Sequence, residues 1–264
     1  MPMLPTIKRY GEFLNSQDIL KFIAILLMVV DHIGQYYFED NLWFRVIGRM
    51  CIPIWFFFIG YSKSQLIDKQ LIGGAILLIL FDVLSHAPIF PVNILVTVIF
   101  CRLVQRHFLN NYLAKADFSY YDIFMLCFII LLFYLPTFFL FEYGSLVLVF
   151  TSLGRLIQMG RRDNFTIFLA VLGVAVFCTP EIYGFKFTMI QSIVVVMGIS
   201  TMVAVLYRYS LHHYRISWHN PLGFGIMLFG RNTLYFYVVH LMIIIAIDHY
   251  LHPERYLVIH WLKK

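Results

Sequence analysis

Charge is scarce in this chain. Only 13% of its 264 residues are Asp, Glu, Lys or Arg, where a soluble domain carries about 25%. No polar, periodic stretch is long enough to hold a soluble core of its own. Nor is there a P-loop, a Gly-x-Ser-x-Gly elbow, a His-Glu-x-x-His zinc helix or a His-x-x-x-x-Asp pattern, so ATP hydrolysis, serine hydrolysis and zinc proteolysis lack support. The four cysteines, Cys51, Cys101, Cys127 and Cys178, fall in apolar runs with no Cys-x-x-Cys spacing. They read as small buried hydrophobes. What is present is apolar: 61% hydrophobic residues with 27 Phe and 17 Tyr, and a mean hydropathy of +0.80. This predicts an all-α, polytopic membrane bundle. The net charge of +6 sits in short loops between apolar runs, which argues for membrane orientation and against nucleic acid.

A bilayer crossing needs about 17–25 mainly apolar residues. Nine segments qualify, with eight to ten as the range: 20–38, 43–62, 67–84, 88–105, 120–141, 143–158, 165–181, 187–207 and 230–250. Residues 1–19 are expected as a polar N-terminal segment without a small-residue cleavage site, residues 20–250 as the bundle, and 251–264 as an interfacial tail anchored by Tyr256 and Trp261. Alternation puts Lys8, Arg9, Lys21, Lys63, Lys69, Arg102, Arg106, Lys115, Arg155, Arg161, Arg162, Arg208, Arg215 and Arg231 on one side. Arg45, Lys186, Arg255, Lys263 and Lys264 fall on the other, and Arg49 inside a span. The positive-inside rule then predicts a cytoplasmic N-terminus. The sequon at Asn164 falls on the cytoplasmic side and is set aside.

Ionisable residues at membrane depth are costly and mark function by default. Asp31 and His32 lie inside the first span, and Arg49 inside the second. Asp31 is nine residues before the turn at Asp40 and Arg49 nine after, so both are expected at one depth, paired, with Gly48 near the level of His32 allowing close approach. On one reading His32 is a general base or nucleophile held by the Asp31–Arg49 pair. On the other, all three form a structural polar clasp. His240, mid-span in the ninth segment, is either a second functional imidazole or a packing residue. Asn93, Glu142 and Tyr143 near span ends read as caps and turns unless they join a site, and Asp82 as an intramembrane or interfacial acid. The histidines 212, 213, 219, 249 and 252 read as loop residues, and no metal site is expected.

The run Asp18-Ile-Leu-Lys-Phe-Ile-Ala-Ile-Leu-Leu-Met-Val-Val-Asp-His-Ile, followed by Gly48-Arg49-x-x-x-Pro53, strongly resembles the TraX family. That family is named for the acetylase that modifies the N-terminus of F-type conjugative pilin. Asn93-Ile94-Leu95, Tyr143-Gly144 and Phe236-Tyr237-x-x-His240-Leu241 continue the resemblance. In outline the family is similar to a larger group of transmembrane acyltransferases. The resemblance implies transfer of an acetyl group from cytoplasmic acetyl-CoA to an extracytoplasmic acceptor, a pilin-like protein or a glycan. It implies the bacterial inner membrane as location. It gathers Asp31, His32, Arg49 and His240 as catalytic residues, with Gly48, Asn93 and Tyr143 toward the substrate. Arg155, Arg161 and Arg162 are the expected partners of the acyl donor's phosphates. A transporter or flippase with an Asp/His/Arg relay, and a non-catalytic assembly factor, are the competing readings.

Overall fold

The computed structural model describes residues 13–86, 90–115, 119–217 and 219–256. Lys8, Arg9, Pro88, Trp261, Lys263 and Lys264 lie outside the described residues. The described residues are mainly helical, with a two-stranded antiparallel sheet of β1 (Phe13–Asn15) and β2 (His213–Ser217). The helices are α1 (Ser16–Tyr37), α2 (Trp43–Gly48), α3 (Cys51–Tyr61), α4 (Lys69–Leu84), α5 (Ile94–Val104), α6 (Asn110–Leu113), α7 (Tyr120–Leu132), α8 (Tyr134–Leu140), α9 (Leu148–Gln158), α10 (Asn164–Phe185), α11 (Met189–Tyr207), α12 (Pro221–Arg231) and α13 (Thr233–Leu251).

Five helical stretches are long and apolar enough to cross a membrane: Ser16–Tyr37, Trp43–Tyr61, Asn164–Phe185, Met189–Tyr207 and Thr233–Leu251. They coincide with the first, second, seventh, eighth and ninth expected spans. The remaining four are shorter or interrupted, as at Pro136, whose ring excludes the carbonyl of Leu132 and ends α7 there. α12, an amphipathic piece before α13, and the β1–β2 pair were not expected. α1 begins at Ser16, earlier than residue 20, because Asn15 caps it in a reciprocal box with Asp18.

Burial follows the logic of a lipid solvent. Thr97, Gln105, Ser145, Thr151, Ser152 and Thr166 are fully enclosed, while Leu84, Met189 and Leu222 are more than two-thirds exposed. Hydrocarbon accepts the outward apolar side chains, and internal polar groups bond inside the bundle, as in Gln105 Nε2 to Gly60 O at 3.0 Å. The result is an integral membrane helical bundle.

α1 and α13 run in the same direction. Asp18 at the start of α1 meets Arg231 just before α13, Tyr37 meets Ile244, and Glu39 beyond α1 meets Arg255 beyond α13.

α3 and α9 pack with their backbones almost touching. A Cβ at Gly60 would fall 1.8 Å from Thr151 O, and one at Gly154 would fall 2.1 Å from Phe57 O. Small residues of this kind let membrane helices gain dispersion contacts that larger ones forbid. Gly60→Ala is expected to lower the melting temperature of the purified protein, at a cost of about 1–3 kcal/mol from overpacking. Gly73→Ala, where no atom lies within 4 Å, is the control and should leave the melt unchanged or slightly raised.

Candidate active site

Pro53 shapes the site. It lacks an N–H, and its ring excludes the carbonyl of the residue four before it, which is Arg49. The second span accordingly breaks into α2 and α3, with Arg49 and Met50 in the turn between them. The Gly-Arg-x-x-x-Pro spacing thus has a mechanical meaning: it places the arginine at the break. Gly48 lies against Asp31, where a Cβ would sit 2.4 Å from that residue's own Cβ. The close approach was expected; its partner is Asp31 where His32 was expected.

Four charges form an alternating chain at this level. Arg45 Nη1 donates to Asp31 Oδ2 at 3.0 Å, and also to Asp31 O and Gln35 Oε1. Arg49 Nε lies 3.6 Å from Asp31 Oδ1 and 3.3 Å from Glu181 Oε2. All four side chains are nearly enclosed. The ring of Phe185 lies under both guanidinium groups at 4.9 and 5.0 Å. The sequence counts Arg45, near the start of the second span, among the charges of the outer side; the structure buries it on Asp31. That correction follows from i, i+4 spacing, which puts Arg45 and Arg49 on one face of the hairpin's second arm. Glu181 was missed altogether. Its signal is an acid directly after Pro180 in an otherwise apolar run.

The contacts around Arg49 are incomplete. Its Nε, Asp31 Oδ1 and Glu181 Oε2 are buried at ion-pair distance without a directed hydrogen bond. Tyr143 closes the other side. Its hydroxyl accepts from Arg49 Nη1 and its ring lies 5.1 Å from that guanidinium. Tyr143 holds φ 67 and Gly144 φ 55, a left-handed pair that is strained for tyrosine. Thr97 Oγ1 bonding Glu142 O and Thr137 Oγ1 bonding Ser145 N hold the turn from both flanks.

His32, one residue on from Asp31, turns toward α13. Its ring centroid lies 5.2 Å from His240 and 6.3 Å from Tyr237, and Tyr237 and His240 are 5.6 Å apart. His240 Nδ1 is 2.6 Å from Phe236 O. A carbonyl only accepts, so Nδ1 carries the hydrogen, and in the neutral ring Nε2 keeps its lone pair. Nε2 is buried and unbonded. The two histidines, 208 positions apart in sequence, thus form one cluster beside the charge chain. Tyr237, three residues before His240 on the same helix face, completes it.

The other expected site residues are placed elsewhere. Asn93 caps α5 through Leu95 N and ties α4 through Ala75 O, so its amide is spent on structure. Arg161 bonds Asp163 and Lys115 O, and Arg162 bonds Tyr207 O and Tyr209 O. Both close the bundle end, where the sequence reading has them meeting phosphates. Arg155 bonds Gln158 and keeps a buried, unbonded Nε. Burial would raise the Asp163 carboxyl, but hydrogen bonds from Thr166 and Arg161 outweigh it and hold it below its ordinary value. Among the described residues no three His, Cys, Asp or Glu side chains come together as a metal-ligand set.

Asp31 meets two guanidinium groups and Glu181 one. Asp31→Ala strands both arginines and is expected to cost at least the about 3–5 kcal/mol typical of breaking a buried pair. Glu181→Ala should cost less, since Arg49 keeps Asp31. Thermal melts of both variants in one detergent check the order.

An uncharacterized protein of Rickettsia prowazekii (strain Madrid E) is 24% identical over 238 residues, spanning 87% of this chain and 91% of its own. No solved structure matches the chain. The family model described as TraX protein matches residues 16–248, which takes in the charge chain and both histidines. The chain belongs to the TraX family.

Proposed function

We propose that this protein is a membrane-embedded acetyltransferase that moves an acetyl group from cytoplasmic acetyl-CoA to an extracytoplasmic acceptor, a pilin-like protein or a glycan. The observation that carries the reading is the contact of His32 with His240, while Asp31, the residue before His32, is paired with Arg49. A base, a second imidazole and a buried cation are the parts that acyl transfer needs. The N-terminus is placed in the cytoplasm on the excess of Lys and Arg at that end of the spans, and the membrane is the bacterial inner membrane.

In the direct route an imidazole takes the proton of the acceptor's N–H or O–H. The nucleophile bonds the acetyl carbon, the C–S bond breaks, and the departing thiolate recovers a proton from the imidazolium. Arg49 faces the oxyanion, with Tyr143 and Glu181 fixing the guanidinium. In the stepwise route His32 itself takes the acetyl group and passes it on, which gives ping-pong kinetics. Gly48 keeps α2 tight against α1 so that the two clusters stay adjacent.

A relay of buried acids, bases and histidines also suits a transporter, and the same chain would serve an assembly factor as scaffold. Turnover separates these. In nanodiscs with labelled acetyl-CoA, wild type is expected to release CoA or to become labelled. His32→Ala should lose about 10²–10⁴-fold of that rate while folding normally. Well-folded wild type that neither binds nor turns over acetyl-CoA would shift the reading to transport or assembly.

A further inference from the structure

Thr97 directs its hydroxyl differently from four other threonines of the bundle. Thr137, Thr151, Thr179 and Thr201 each donate to the carbonyl four residues back along the chain, the usual habit of threonine in a helix. Thr97, on α5 and fully buried, donates instead to Glu142 O at 3.1 Å, 45 positions away. Around that bond the start of α5 is joined to the turn after α8. Val92 N donates to Leu140 O at 2.9 Å, and Glu142 N to Val92 O at 3.3 Å. Val92 and Phe141 form an isolated parallel bridge, and the ring of Phe100 stacks on that of Phe141 at 5.2 Å. Asn93 ties the same seam to α4 through Ala75 O. Asn93-Ile94-Leu95 and Tyr143-Gly144, two separate motifs in the sequence, thus flank one seam.

What the seam holds is a strained backbone. Tyr143 has φ 67, and a tyrosine keeps such a conformation only where its surroundings over-determine it. Glu142 O belongs to the planar peptide unit that joins Glu142 to Tyr143. A bond to that oxygen therefore fixes the rotation of the plane, and with it the direction in which the Tyr143 side chain leaves the backbone. The phenol so directed accepts from Arg49 Nη1. We infer that Thr97 is a positioning residue: by holding the Glu142–Tyr143 peptide plane it aims the Tyr143 hydroxyl at Arg49 and so sets the guanidinium for turnover. The catalytic half of the inference rests on the acetyl-CoA reading, in which Arg49 faces the oxyanion.

The test uses the full chain in nanodiscs with acetyl-CoA. Turnover is measured for wild type, Thr97→Val, Thr97→Ser, Tyr143→Phe and the double variant Thr97→Val/Tyr143→Phe. Valine keeps the shape of threonine and removes the hydroxyl, so kcat should fall about three- to tenfold with KM unchanged. Serine keeps the hydroxyl and should restore most of the rate. The double variant should be no slower than Tyr143→Phe, because an absent phenol hydroxyl needs no aiming. Should Thr97→Val fail to fold, Thr97→Ala removes the same hydroxyl with less bulk. An unchanged kcat in Thr97→Val, a loss that serine does not restore, or single losses that multiply in the double variant overturns the inference while the acetyl-CoA reading stands. If well-folded wild type does not turn over acetyl-CoA, that reading falls, and the melting temperatures of the same variants decide the rest. Shifts that fail to add keep Thr97 as the residue that aims Tyr143 at Arg49; shifts that add overturn it.

Discussion

The alternating chain Arg45–Asp31–Arg49–Glu181 is the constraint on which the site depends. It joins α1, α2, the break before α3, and α10, and each link is buried. A single one of these charges at membrane depth would cost several kcal/mol. In alternation they offset one another, and the aromatic ring of Phe185 and the phenol of Tyr143 fill the remaining faces. Such a chain holds α1 in one rotational setting. With Asp31 turned to α2, His32 must face α13, and there it meets His240.

The arrangement is half satisfied by design of its backbone. Pro53 breaks the second span at Arg49, and the left-handed turn at Tyr143 delivers a hydroxyl to it. The chain's central atoms still lack directed hydrogen bonds. Buried polar groups left in that state are expensive in a purely structural clasp, where evolution can substitute apolar residues of like volume. They make sense where a reacting group takes up the unused capacity during turnover.

Much of this was legible in the chain itself. Charge scarcity and long apolar runs gave the membrane bundle, and the five helical stretches long and apolar enough to cross a membrane coincide with expected spans. Equal distances from the turn at Asp40 were enough to pair Asp31 with Arg49, because a helical hairpin has fixed rise. Contacts between distant segments were not legible. Glu181 reaches Arg49 from 132 positions away, and nothing local in its run says which helix it will face. Arg45 read as a charge of the outer side because hydropathy counts charge without regard to helix face. Asn93, Arg161 and Arg162 matched chemistry that seemed useful, yet their side chains are occupied by caps and backbone carbonyls. The amphipathic α12 and the β1–β2 pair carry too few apolar residues to register as spans.

The account holds that His32 and His240 act as one unit. The most direct measurement is the rate of acetyl-CoA turnover for His32→Ala, His240→Ala and the double variant in the same nanodiscs. Residues acting together are strongly non-additive, so the account predicts that the double variant is no slower than the slower single one, with all three far below wild type. Multiplying losses, or near wild-type turnover in the variant lacking both imidazoles, would contradict it.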